Sequence, residues 1–216
     1  LKESPPMIVD EAANIRDIHK LLSYKGFRPI DYEWGYGQAT IVHYPSIALV
    51  KFGLEELTAI RLTSVIFSIL VLIPFFFIVK KYTISLIAFC TTLIFSFSYY
   101  YLQFSRVGWT NIHSIFLGLY LLWLTDLAIE KKSAVLVIVS GIVAGLTMYT
   151  YRSGEIYIFA AFLLLIINKI KRSELKSNIK NFSIFTLSFF AISLPWINKI
   201  LSNWELYNLR ARVVSI

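Results

Sequence analysis

Six stretches of the chain, at about 58–79, 83–103, 111–129, 133–151, 155–170 and 181–197, are long, apolar and almost free of charge. Runs of roughly 17 to 25 such residues are what a helix needs to cross a hydrocarbon core about 30 Å thick. Helices also satisfy their own backbone in lipid, which offers no hydrogen bonds. The sequence therefore specifies an all-α, polytopic transmembrane helical bundle. With 57% hydrophobic and only 16% charged residues, the composition lies outside the range of an ordinary water-soluble domain. Short connections between the runs leave no room for a second globular domain within the 216 residues. The single cysteine, Cys90, falls inside a run, so no internal disulfide can form.

Charge placement sets the expected orientation, because Lys and Arg in short loops stay on the cytoplasmic side. Lys80 and Lys81 follow the first run, and Lys131 and Lys132 the third. Lys169, Lys171, Arg172, Lys176 and Lys180 follow the fifth. The alternate loops hold only Arg106 and then Arg152 beside Glu155. Residues 1–57, the loops near Arg106 and Arg152, and the C-terminal segment are thus expected together on the outer face. Residues 1–57 carry six basic against eight acidic side chains, so the net charge of +8 is not a property of this face. That excess is a topology signal, not a nucleic-acid footprint.

Three regions follow: an outer segment at 1–57, a six-helix membrane domain at 58–197, and the start of a further outer segment at 198–216. Beginning at Leu1 and ending on RVVSI, the chain reads as a fragment whose upstream span is missing. In the first region, Ile15, Ile18, Leu21 and Leu22 recur at helical spacing, which predicts an amphipathic helix in the interface. The Gly- and Tyr-rich residues 23–40 read as an ordered loop. His43–Gly53 reads as a second interfacial helix with Pro45 in its first turn.

The order of these elements resembles the polyprenyl-phosphate-dependent glycosyltransferases of the GT-C fold, particularly the protein O-mannosyltransferases and the aminoarabinose transferases that modify lipid A. The matching elements are PPMIVDEA, VHYPSI, KFG and AIRL, followed by FSRVGWTN, GLTMYTYRSGE and Arg210 before VVSI. The resemblance implies a membrane glycosyltransferase of the plasma membrane. It would take a sugar from a polyprenyl-phosphate-linked donor and pass it to a lipid, glycan or protein acceptor on the outer face. Such a reaction needs one carboxylate to deprotonate the incoming hydroxyl and cations to hold the departing phosphate. Asp10 is the expected base, with Glu11 beside it. His43, Tyr44, Arg106, Asn111, Tyr151, Arg152 and Arg210 are the expected substrate contacts, with Lys51 and Arg212 as further outer cations. No cofactor is implied with certainty. A divalent metal held by Glu33 or Glu11 with His43 stays open, although no ligand spacing points to one.

Each residue also has a plainer reading. Asp10 would serve as a helix N-cap, Glu11 would complement a helix dipole, and His43 would be a surface histidine. Arg61 and Arg106 would anchor span ends by snorkelling. Tyr99, Tyr100 and Tyr101 would form an interfacial belt. Relatives often carry a second acid where this chain has Asn111, which counts against two carboxylates split between two loops. The rival functions are a transporter or lipid flippase and a non-catalytic assembly subunit. A transport pathway would show mid-span charges and broken helices. Here the spans hold Pro74 and Pro195 but almost no charge at their centres.

Overall fold

The computed structural model describes residues 7–31, 39–171, 175–205 and 208. They form helices throughout. Helix α1 is Val9–Ser23, and a 3-10 turn at Thr40–His43 leads into α2, Tyr44–Lys51. The bundle comprises α3 (Glu56–Lys80), α4 (Ser85–Ser96), α5 (Tyr99–Arg106), α6 (Asn111–Lys131), α7 (Ala134–Thr147), α8 (Gly154–Lys171) and α9 (Leu175–Ser202). Glu33, Arg210 and Arg212 lie outside the described residues.

Every apolar run becomes helical, but not as six equal spans. Among the described residues, α3, α6 and residues 179–202 of α9 are long and apolar enough to cross a bilayer. The second run is not one rod: α4 and α5 meet at a bend of 62°. The Ser96 hydroxyl donates to the Leu93 carbonyl just before the break, the local competition by which serine loosens a helix. Beyond it, the buried Tyr101 hydroxyl donates to the Ser68 carbonyl of α3, and Phe95 stacks on Phe75. Tyr101 is thus a packing residue, whereas Tyr99 and Tyr100 are exposed as a belt requires. The bend opens an aromatic groove that includes Phe75, Tyr100, Phe104 and Tyr157. Irregular backbone at membrane depth is tolerated where it lines such a recess.

Ion pairs mark the two ends of the bundle. Lys81 bonds Asp126 and lies 3.9 Å from Glu130, joining the far ends of α3 and α6. At the other end, Lys199 near the end of α9 bonds Asp31 at 3.2 Å, and the Ala39 N–H donates to the Tyr149 carbonyl just after α7. The residues before α3, after α5, before α6, after α7 and before α8 therefore gather with α1 on one face.

The central core joins α6, α7, α8 and α9 through Leu121, Val137, Ala144, Ile158, Ala161 and Phe185. Lipid gives apolar helices no hydrophobic reason to associate, so close backbone contact has to supply it. Helix α7 provides that contact with Gly141 and Gly145, spaced as GxxxG. A Cβ at Gly141 would sit 2.6 Å from the Phe185 carbonyl oxygen, and one at Gly145 2.6 Å from the Ile192 side chain. Gly141→Val should accordingly destabilise the bundle by about 1 to 3 kcal/mol, the usual cost of overpacking. Thermal unfolding in detergent should show a lowered midpoint, and an unchanged midpoint would mean that α7 and α9 separate freely.

Candidate functional site

The site is built where α1 lies across the start of α3. Ile8 occupies the N-cap position of α1 and offers no side-chain bond to the helix end. Asp10 is thus the second helical residue and not the N-cap, and Glu11 is the third. The Glu11 carboxylate turns back to accept the Ile8 N–H at 3.1 Å. That bond satisfies one of the donors a helix start leaves open.

The rest of Glu11 is occupied by charge. Arg61 donates from Nε to Oε1 at 2.8 Å and from Nη2 to Oε2 at 2.9 Å, a bidentate pair. The Gly108 N–H, between α5 and α6, donates to Oε1 at 2.9 Å. Both side chains are fully buried, so Arg61 does not snorkel to water: it points into the protein. One turn along α1, Asn14 donates to the Gly108 carbonyl at 2.7 Å. Glu11 and Asn14 thereby hold both ends of one residue's backbone. Gly108 has to lack a side chain, because a Cβ there would meet Ile60 at 2.6 Å.

Burial alone would raise the Glu11 pKa, but the Arg61 guanidinium and the Gly108 and Ile8 N–H groups outweigh it and hold the carboxyl below its ordinary value. A carboxyl lowered by folding contributes stability above the normal glutamate range near 4.3. That contribution is lost as pH falls through the lower folded value. Glu11 therefore stays ionised at neutral pH, and its geometry suits anchorage better than proton transfer.

The other expected residues are placed as follows. Asp10 is half-buried in the first turn of α1, and Arg106 is exposed at the end of α5. Asn111 opens α6 and is half-buried. Tyr151 and Arg152 lie between α7 and α8, and Arg152 donates to Asn208 at 2.9 Å. The Tyr44 hydroxyl accepts the Arg28 N–H at 2.7 Å, while its ring meets Phe27 edge to face. His43 is not a surface residue: it is 1% exposed. Burial, with the nearby His113 imidazole, pushes its pKa down to about 3. Among the described residues, no three of His, Cys, Asp and Glu cluster so as to hold a metal, and Glu11, one of the conceivable ligands, is taken by Arg61.

Sequence reasoning passed over Asn14, Arg61, Gly108 and His113 as working parts. An arginine one turn into an apolar span was a usable signal, since a charge there calls for a partner.

These elements lie within or beside a segment that can be classified by comparison. Residues 46–197 match the family model described as dolichyl-phosphate-mannose-protein mannosyltransferase. The chain belongs to that family. No match was found among curated proteins or solved structures. Membership in this family supports a membrane glycosyltransferase of the mannosyltransferase type, and it agrees with the helical bundle. The match begins at Ser46, so α1 and the acids on it precede the matched region.

Two outcomes test the site as a structure. Glu11→Gln leaves the Arg61 charge buried without its partner, which typically costs about 3 to 5 kcal/mol. Replacing both, as Glu11→Leu with Arg61→Met, should recover much of the loss in a denaturant or thermal unfolding series. Equal stability of Glu11→Gln and the parent would contradict the pairing. The second outcome concerns pH. Between its ordinary pKa near 6.5 and the folded value of about 3, His43 binds a proton only in the unfolded chain. Stability must fall with pH across that window. His43→Gln should show a shallower decline in thermal midpoint from pH 6.5 to 4.5 than the parent.

Proposed function

We propose that the protein transfers a sugar from a polyprenyl-phosphate-linked donor to an acceptor hydroxyl on the outer face of the plasma membrane, with Asp10 as general base. The observation that carries this reading is the saturation of Glu11. Two acids stand side by side, and one is fully occupied by Arg61, Gly108 and Ile8. Its neighbour Asp10 keeps partial access to solvent at the same helix start. Family membership supplies the reaction type, and the Lys and Arg asymmetry supports the outer orientation.

In this mechanism the acceptor hydroxyl gives its proton to Asp10 as its oxygen bonds to the anomeric carbon. The bond from that carbon to the phosphate oxygen breaks, and the phosphate leaves with the electron pair. Arg106, Arg152 and Arg210 are the groups proposed to meet the growing negative charge on the phosphate. His43, Tyr44, Asn111 and Tyr151 are proposed to shape the surroundings of the substrates. A lipid, a glycan or a protein satisfies the chemistry equally, since each presents a hydroxyl.

The deciding experiment uses the full-length protein and measures release of polyprenyl phosphate from polyprenyl-phosphate mannose. Asp10→Asn retains the shape of the side chain and removes only its basicity. Loss of a general base costs typically about 10²- to 10⁴-fold, so turnover should fall by that order while the thermal midpoint stays near that of the parent. Turnover within a few-fold of the parent would reduce Asp10 to a surface residue of the first turn.

A further inference from the structure

Away from the Glu11 pair, beneath the turn that precedes α2 and between α3, α6 and α7, lies a cavity of about 150 Å³. Val42, Pro45, Phe67, Phe116 and Leu117 give it apolar walls, and His113 contributes a polar ring. His113 is 8% exposed, and Phe67 packs tilted against it with ring centroids 4.4 Å apart. Its Nδ1 lies 2.9 Å from the Thr110 carbonyl oxygen. A carbonyl can only accept, so Nδ1 carries the hydrogen, and in the neutral ring Nε2 is a bare acceptor. That Nε2 is buried and has no hydrogen-bond partner.

A buried acceptor without a donor is a cost that native proteins normally relieve. The surroundings decide what relieves it here. A bound water needs two to four polar partners, and beside His113 the lining adds only the hydroxyls of Tyr149 and Thr150, which already donate to the Ile192 and Thr147 carbonyls. A free sugar carries several hydroxyls that the same walls would strip of their bonds. An anion would meet a lone pair where it needs a donor. What fits is an apolar body bearing a single O–H. We propose that this cavity is a binding site for a neutral, lipid-soluble alcohol, whose hydroxyl donates to His113 Nε2 and whose hydrocarbon body lies among Phe67, Phe116 and Leu117. The site makes no use of Asp10 or the donor phosphate, although Val42 and Pro45 of its walls flank His43 and Tyr44.

The test uses full-length protein in lipid nanodiscs and two probes of the same skeleton, 4-ethylphenol and 4-ethylanisole, which differ in having or lacking the O–H. Saturable binding should favour the phenol by about fivefold, the worth of one ordinary hydrogen bond. The phenol should also shift the imidazole ¹⁵N resonance of Nε2 toward that of a hydrogen-bonded nitrogen. His113→Phe should abolish the preference, and should that variant not fold, the comparison of the two probes on the parent protein decides alone. Equal affinity for the two probes, or saturable binding of neither, would overturn the proposal. So would an Nε2 resonance that is already hydrogen-bonded without probe and unmoved by it, the signature of water alone.

Discussion

The Glu11–Arg61 pair is the interaction on which the outer part of the molecule rests. An ion pair withdrawn from water is stable only when each charge finds its partner and the remaining polar atoms are also bonded. Here the carboxylate receives the guanidinium fork and two backbone N–H groups. A helix bound only by Ile18 and Leu21 against Ile47 and Ile60 would have freedom to slide along the membrane interface. The pair fixes its rotation and axial position, and Asn14 extends the hold to the segment linking α5 and α6. Three elements far apart in sequence thus share one anchorage.

Much of the architecture was legible because the solvent is legible. Apolar runs gave most helix ends to within four residues, although α9 extends five to six residues beyond its run at each end, and the spacing of Ile15, Ile18, Leu21 and Leu22 gave α1. The inward face of that helix was not readable in full, since Glu11, Asn14 and Asp17 are buried beside Ile18 and Leu21 while Leu22 is exposed. A hydrophobicity pattern assigns polar side chains to water, and it has no means of recognising a polar group whose partner is 50 residues away. Arg61 escaped for the same reason. The bend after α4 was equally missed, because the passage from apolar α4 to the tyrosine-rich α5 reads as the end of one run. By contrast, Gly141 and Gly145 carry a spacing that sequence alone displays, and the structure explains it through the approach of α9.

The neighbouring acids show how helix geometry separates roles. Adjacent helical residues point about 100° apart, so Asp10 and Glu11 cannot face the same surroundings. One enters the protein and meets Arg61, and the other remains at the boundary with solvent. Their order in the chain is therefore not interchangeable, even though the side chains differ by one methylene. A single residue inserted between Glu11 and Asn14 would turn Asn14 away from the Gly108 carbonyl.

Helix α7 has 14 residues, about 21 Å at 1.5 Å per residue, and its neighbours in the bundle are longer. A hydrocarbon layer near 30 Å must adapt to such a short element by thinning or by letting flanking groups reach out. The glycine contact with α9 ties α7 into the bundle, so that adaptation falls on the lipid. A leaflet thinned in this way would bring lipid headgroups closer to Tyr151 and Arg152, which follow the end of α7.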